Sequence, residues 1–225
     1  IIISVDTLRA DRLGCYGYAE AETPVCDALA SRGVRFDDAV TSVPLTLPSH
    51  ATILTGLLPY THNVRENGKH RLAKEHTTVA EVLSSHGYDT GAFVGCFVLD
   101  ASFGLDQGFD HYFGTDVPNW PPYCFIEDDR TVGIPSEFLP AALLRNNLAS
   151  LQGPALKDWA LEPILATLGD RAERFIKDSA ARSGPFFLYM PLTSPHTPLA
   201  DSRRMAAPTG CGAGGGWEGS SRGRG

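Results

Sequence analysis

The sequence predicts an α/β fold, with a mainly parallel central sheet flanked by helices. Three observations carry that expectation. The runs Ile1-Ile2-Ile3-Ser4-Val5 and Phe186-Phe187-Leu188-Tyr189-Met190 are almost continuously apolar, as strands covered on both faces are. Residues 77–86 and 162–182 place their apolar side chains at helical spacing. Strands and helices alternate along the chain, which favours parallel strands joined by crossover helices. With 225 residues, 43% hydrophobic and 20% charged, the chain can bury one substantial core.

Taken in order, the opening β-branched run ends at polar Asp6-Thr7, so Asp6 is expected at the carboxyl end of a buried strand. Thr23-Pro24, then Val25, Leu29 and Gly33, read as cap, first-turn proline, apolar face and stop, predicting a helix over 24–32. A strand is expected over 34–40. Pro48 reads as the first residue of a short helix capped by Thr46 or Leu47. Thr77 or Thr78 as cap, an apolar face of Val79, Val82 and Leu83, and Gly87 as terminator predict a helix over 77–86. A strand over 90–98 follows. Residues 116–160 are rich in Pro, Trp and mixed polar residues without a sustained period, and read as an insertion or long excursion from the core. Ile164, Leu168, Ala172, Phe175 and Ile176 predict an amphipathic helix over 162–182, closed by Ser183-Gly184-Pro185 ahead of the strand at 186–190. From 206 to 225 the chain is Gly-rich and too poor in apolar surface to fold. Disorder is expected there, as a flexible linker or a non-native end.

A formal charge of −7 argues against a nucleic-acid surface, because no Lys/Arg stripe is available to neutralise a run of phosphates. An acidic protein that handles an anion must concentrate positive charge locally, and a bound metal ion is one way to do so. Cys15, Cys26, Cys96, Cys124 and Cys211 form neither a CxxC pair nor a Cys/His cluster of zinc spacing, and their odd number leaves at least one thiol unpaired. No apolar run approaches the length of a membrane span. The chain opens on an apolar run without an initiating Met, so a lost upstream segment carrying a targeting signal is expected, with secreted, periplasmic and lysosomal compartments all open.

The strongest chemical signal is Pro44-Leu45-Thr46-Leu47-Pro48-Ser49-His50-Ala51-Thr52-Ile53-Leu54-Thr55-Gly56. A helix starting near Pro48 would aim backbone N–H groups at whatever binds beside Thr46, and a tetrahedral oxyanion suits that position. Thr46 is then a candidate nucleophile needing a base or metal, and Asp6 is the candidate metal ligand. Each has a plainer role when read singly. Thr46 can be a helix cap and Asp6 a turn residue, His50 and His62 ordinary helix or loop histidines, and His196 part of a stiffened Ser194-Pro195-His196-Thr197-Pro198 loop.

The motifs in sequence resemble the sulfatase family of the alkaline phosphatase superfamily. Ile1 to Gly17, with Ser4-Val5-Asp6-Thr7-Leu8-Arg9-Ala10-Asp11-Arg12-Leu13-Gly14-Cys15-Tyr16-Gly17, resembles its opening strand and metal loop, and 46–56 resembles its C/S-x-P-S-R signature followed by L-T-G. Asn67-Gly68, the segment 78–83, Gly87-Tyr88, the segment 104–114, Pro185 with its following strand, and Pro195-His196-Thr197-Pro198 continue the resemblance in order. It implies a partial sulfatase-like catalytic domain over 1–205, truncated before the later ligands, with the Gly-rich tail at 206–225. The implied activity is hydrolysis of sulfuric esters with a divalent metal ion, usually calcium, on a small-molecule or glycan sulfate ester. Asp6, Thr7 and Thr46 are the implied metal ligands, and Thr46, His50 and His196 the implied catalytic residues.

Departures from the family pattern are informative. Thr7 stands where many relatives carry a second Asp. Thr46 replaces the Cys or Ser that becomes formylglycine, and Thr is not a substrate for that conversion. His50 replaces the usual Arg, and Cys96 and Val98 stand where a Lys and a His commonly contact the sulfate. Thr-x-Pro-Ser-His also resembles the phosphodiesterase branch of the superfamily, in which a threonine beside zinc or manganese attacks phosphorus. A non-catalytic sulfatase-like module is the reading from another class.

Overall fold

A computed structural model of the chain describes residues 1–115, 120–143, 149–192 and 194. Its main sheet has six strands. In chain order these are β1 (Ile2–Val5), β2 (Asp89–Val94), β3 (His111–Thr115), β4 (Phe125–Glu127), β5 (Arg130–Val132) and, last in the chain, β10 (Phe186–Leu192). The spatial order is β1-β10-β2-β3-β4-β5, with β1, β10, β2 and β3 parallel and β4 and β5 added antiparallel. The stretch 116–160 supplies β4 and β5 to this sheet. It also forms two small ribbons, one pairing β6 (Glu137–Leu139) with β9 (Gly153–Ala155), the other β7 (Ala142–Leu143) with β8 (Ala149–Ser150). The helices are α1 (Pro24–Arg32), α2 (Thr46–Thr55), α3 (Pro59–His62), α4 (Val79–Ser85) and α5 (Ile164–Ala180).

Because strand side chains alternate between faces, each central strand feeds two cores. Ala92, Val94, Tyr112, Phe187 and Tyr189 face one side, where α2 and α4 contribute Leu47, Ala51, Leu54 and Ala80. Phe93, Phe113 and Leu188 face the other, against Ile164, Leu168, Ala172 and Phe175 of α5. Gly91 makes the seating of α5 possible, since a Cβ there would lie 2.9 Å from the Phe175 ring. The predicted apolar face of α5 is therefore the face it buries.

Several expectations are corrected. The Ile1–Val5 run forms a parallel strand at Ile2–Val5, but among the described residues it lies at the sheet edge, hydrogen-bonded to β10 alone, with Ile1 63% and Ile3 57% exposed. Apolarity reports a strand suited to being covered; whether a neighbour covers it depends on the rest of the sheet. Residues 34–40 form no strand, because among the described residues no neighbour offers a ladder. Instead Tyr16 Oη donates to the Phe36 carbonyl (2.8 Å) and Arg35 reaches the Cys15 carbonyl. The helix at 24–32 is present, yet Val25 and Leu29, its expected apolar face, are exposed. Thr23 does not cap it; its hydroxyl accepts the Gly14 N–H instead (3.0 Å). The strand expected over 90–98 stops at Val94, after which the chain tightens into a 3-10 turn at Phe97–Leu99. At α4 Thr78 is the cap, in a reciprocal box with Glu81: the Thr78 N–H donates to Glu81 Oε2 (2.8 Å) and the Glu81 N–H to Thr78 Oγ1 (3.1 Å).

Candidate functional site

Parallel pairing brings the carboxyl ends of β1, β10, β2 and β3 to one edge of the sheet, the edge at which open α/β sheets bind ligands. Asp6 follows β1 directly, and its N–H donates to the Leu192 carbonyl at the end of β10 (3.1 Å). Thr7 takes φ +57, a left-handed conformation unusual for a β-branched residue, which turns the chain sharply away from the strand. His196 lies outside the described residues, four positions beyond the end of β10.

Thr46 is the first residue of α2, with extended Leu45 at the cap, so the helix begins two residues earlier than Pro48 led us to expect. Pro48 is tolerated inside the first turn because an N–H there would have no intrahelical acceptor. This shift changes the donors available beside Thr46. The Leu47 N–H donates to Asn67 Oδ1 (2.9 Å), Pro48 has none, and the Ser49 N–H already donates to the Leu45 carbonyl (3.1 Å). Among the described residues, the one first-turn amide without a hydrogen-bond partner is that of Thr46 itself. The array of N–H groups expected there is thus reduced to a single donor.

His50 sits one turn below Thr46 on the same helix face. Its side chain enters the core rather than the mouth of the site, being 7% exposed, and its Nδ1 shares a hydrogen bond with the Tyr189 hydroxyl of β10. Burial disfavours the charged ring and holds its pKa down at about 4, so His50 is neutral at physiological pH. The same burial raises the Tyr189 phenol far above its ordinary value, with a smaller push from Cys96. His50 therefore supplies no fixed positive charge at this position. His62 is likewise a core histidine, its Nε2 within 3.1 Å of Thr52 Oγ1 and its Nδ1 accepting the Val64 N–H (3.1 Å).

Helix α2 packs against the 3-10 turn at Phe97–Leu99 that follows β2, which puts half-buried Cys96 and Val98 beside it at the same sheet edge. Neither supplies a charge. No hydrogen bond joins Asp6 to Thr46 among the described residues, and no group of three or more His, Cys, Asp or Glu side chains there could hold a metal ion. Asp6, Thr7 and Thr46 are all oxygen donors, the type that calcium prefers, but they fall short of the roughly six to eight oxygens that ion takes. The described residues thus do not make up a metal site. Asn67 and Tyr189, which hold the two ends of the Thr46–His50 turn, had no role assigned to them in the sequence. The Asn-Gly pair at 67–68 signals a turn and adds to the family resemblance without pointing to α2, and Tyr189 is indistinguishable from any core aromatic.

The sulfatase family model matches residues 1–218 of this chain. The chain belongs to the sulfatase family. It is 30% identical to human arylsulfatase A over 94% of its own length, and spans 44% of that relative. Among solved structures this sulfatase chain is similar to a Bacteroides thetaiotaomicron protein studied in the metabolism of multiple glycosaminoglycans, with TM-score 0.74, 24% identity, and coverage of 92% of this chain and 53% of that one. It also resembles BT4656, solved with its substrate D-glucosamine-2-N,6-O-disulfate, with TM-score 0.63, 23% identity, and coverage of 90% and 35%. At these identities the structural likeness shows the shared fold, an α/β sulfatase architecture of which this chain spans about half or less. Among the described residues, no helix is long and apolar enough to cross a membrane.

Proposed function

We propose that the protein to which this chain belongs hydrolyses sulfuric esters, on a small-molecule or glycan sulfate, with Thr46 as the attacking group. The observation that carries the reading is Thr46 as first residue of α2 within a chain that matches the sulfatase family over 1–218. In the proposed reaction the Thr46 hydroxyl gives up its proton to water as Oγ1 forms a bond to sulfur and the bond from sulfur to the ester oxygen breaks. The leaving oxygen takes a proton, for which His196 is the candidate donor, and water then releases sulfate from the threonine. The Thr46 N–H is one donor available to an equatorial oxygen. His50 serves by holding α2 to β10 rather than by touching the ester. A divalent ion is part of the proposal, calcium by the family resemblance, with Asp6, Thr7 and Thr46 offering oxygen donors to it. No step is assigned to that ion, because the described residues do not complete its site.

A second reading follows from the side chains at the site. Thr46 in place of a formylglycine precursor, neutral His50, and uncharged Cys96 and Val98 suit a phosphodiesterase using zinc or manganese as well as they suit a sulfatase. The decisive test measures hydrolysis of an aryl sulfate and an aryl phosphate diester by the gene product, with calcium, zinc or manganese, for the parent and Thr46→Ala. Sulfate release that falls at least about a hundredfold in Thr46→Ala supports the sulfatase reading. Preference for the diester moves the protein to the phosphodiesterase reading, and turnover unaffected by the substitution removes Thr46 as the nucleophile.

A further inference from the structure

We infer that Asn67 is a positioning residue for Thr46, holding the first turn of α2 from a loop twenty residues away; the inference builds on the reading of Thr46 as the attacking group. A helix normally satisfies its early amides with a capping side chain next door in sequence. Here the cap position is occupied by Leu45, whose side chain has no acceptor, and no side-chain cap bond forms locally. The bond comes instead from Asn67 Oδ1, which accepts the Leu47 N–H at 2.9 Å. The loop is shaped to deliver it. Gly68 takes φ +73 immediately after Asn67, a conformation that glycine adopts without steric cost, and Lys69 folds back to pair with Glu66 at 2.7 Å.

The consequence is specific to the site. Leu47 is the residue after Thr46, so Asn67 fixes the peptide plane joining the two residues and with it the position of the Thr46 backbone from which its hydroxyl projects. One turn on, His50 is fixed by its bond to Tyr189. The turn is held at both ends, and of these two side-chain bonds the one to Asn67 touches a peptide adjoining Thr46. Asn67 is itself exposed, so removing its side chain opens no cavity in the core, and the one group left without a partner is the buried Leu47 N–H in the peptide adjoining Thr46. This separates a positioning role from a general structural one.

The test uses the whole chain and three forms: parent, Asn67→Ala, and Asn67→Asp, which keeps a carboxyl oxygen for the Leu47 N–H. Residue-resolved amide exchange is read first. Asn67→Ala should speed exchange at Leu47 about fivefold or more, with β10 and α5 amides unchanged, and Asn67→Asp should restore it. Kinetics on the preferred ester should then show kcat lowered about tenfold in Asn67→Ala with KM within about twofold, and recovered in Asn67→Asp. Unchanged exchange at Leu47 overturns the inference, as does faster exchange spread through the core or a loss of kcat that Asp does not rescue. If the parent turns over neither ester, the Thr46 nucleophile reading fails by itself, while the exchange arm still decides whether Asn67 holds this turn.

Discussion

His50 shows how one side chain can look catalytic in a motif and be structural in place. It occupies the position where the family pattern carries an arginine, yet its ring is sealed against Tyr189 and its pKa is held down from 6.5 to about 4. The pH dependence follows from that direction. Above pH 6.5 the ring is neutral in both folded and unfolded chains and costs nothing. Between 6.5 and 4 the unfolded chain takes up a proton that the folded one resists, so stability falls as pH drops through this window. The loss approaches about 3 kcal/mol near pH 4. Urea midpoints measured from pH 7 to 4 should decline in the parent and decline less in His50→Gln, whose amide bonds to Tyr189 without titrating; parallel curves would count against this account. His62, also buried and with its pKa lowered mainly by desolvation, adds to the same trend in both proteins.

Elements held by local chemistry and elements held from afar behave differently. The capping box of α4 is written within four residues, Thr78 to Glu81, and could be read directly. What fixes α4 in the fold is less visible: Thr78 Oγ1 also donates to the Gln107 carbonyl (2.8 Å), and Gly108 at φ +85 lies so close that a Cβ would stand 2.1 Å from the Glu81 nitrogen. Gly108→Ala should therefore cost at least about 3 kcal/mol by urea denaturation, far more than the ordinary cost of a loop substitution, because backbone must move on both sides. A loss below about 1 kcal/mol would mean that the loop and the start of α4 are not packed this closely. In α2 the balance is reversed. Its start depends on Asn67 and its middle on Tyr189, neither adjacent in sequence, which is why Pro48 misplaced its first turn.

At the level of the whole molecule, the sheet is covered by α2 and α4 on one face and by α5 on the other, but open along β1. Ile3 on the edge strand, Ile1 just before it, and Val25 (71% exposed) and Leu29 (59%) of α1 leave apolar side chains exposed in the N-terminal region, and among the described residues β10 is the one strand paired with β1. Such edges promote association. Sedimentation of the chain at increasing concentration should show self-association that Ile3→Lys reduces without lowering the melting temperature by more than a few degrees. Unaltered association in Ile3→Lys would place the contact elsewhere.

Much of the fold was legible in the sequence because it rests on short-range periodicity. Alternating apolar runs and helical stripes sufficed for the α/β class, for α5 with its buried Leu168 and Phe175, and for the strand that became β10. Eight motifs in the right order sufficed for the sulfatase family. The sequence marked Asp6 and Thr46 as candidate site residues by type, but carried nothing of how they are arranged. Whether the Ile1–Val5 run is central or peripheral depends on which strands arrive beside it, and nothing in five residues encodes that. Residues 34–40 have the composition of a strand but lack a partner, and a strand without a ladder leaves its backbone unsatisfied. The role of His50 rests on Tyr189, 139 positions away, and the first turn of α2 on an Asn twenty positions away. Periodicity is a property of neighbours along the chain. Hydrogen-bond partners and burial are properties of the packed molecule, and they separate the histidine in the core from the threonine at the sheet edge.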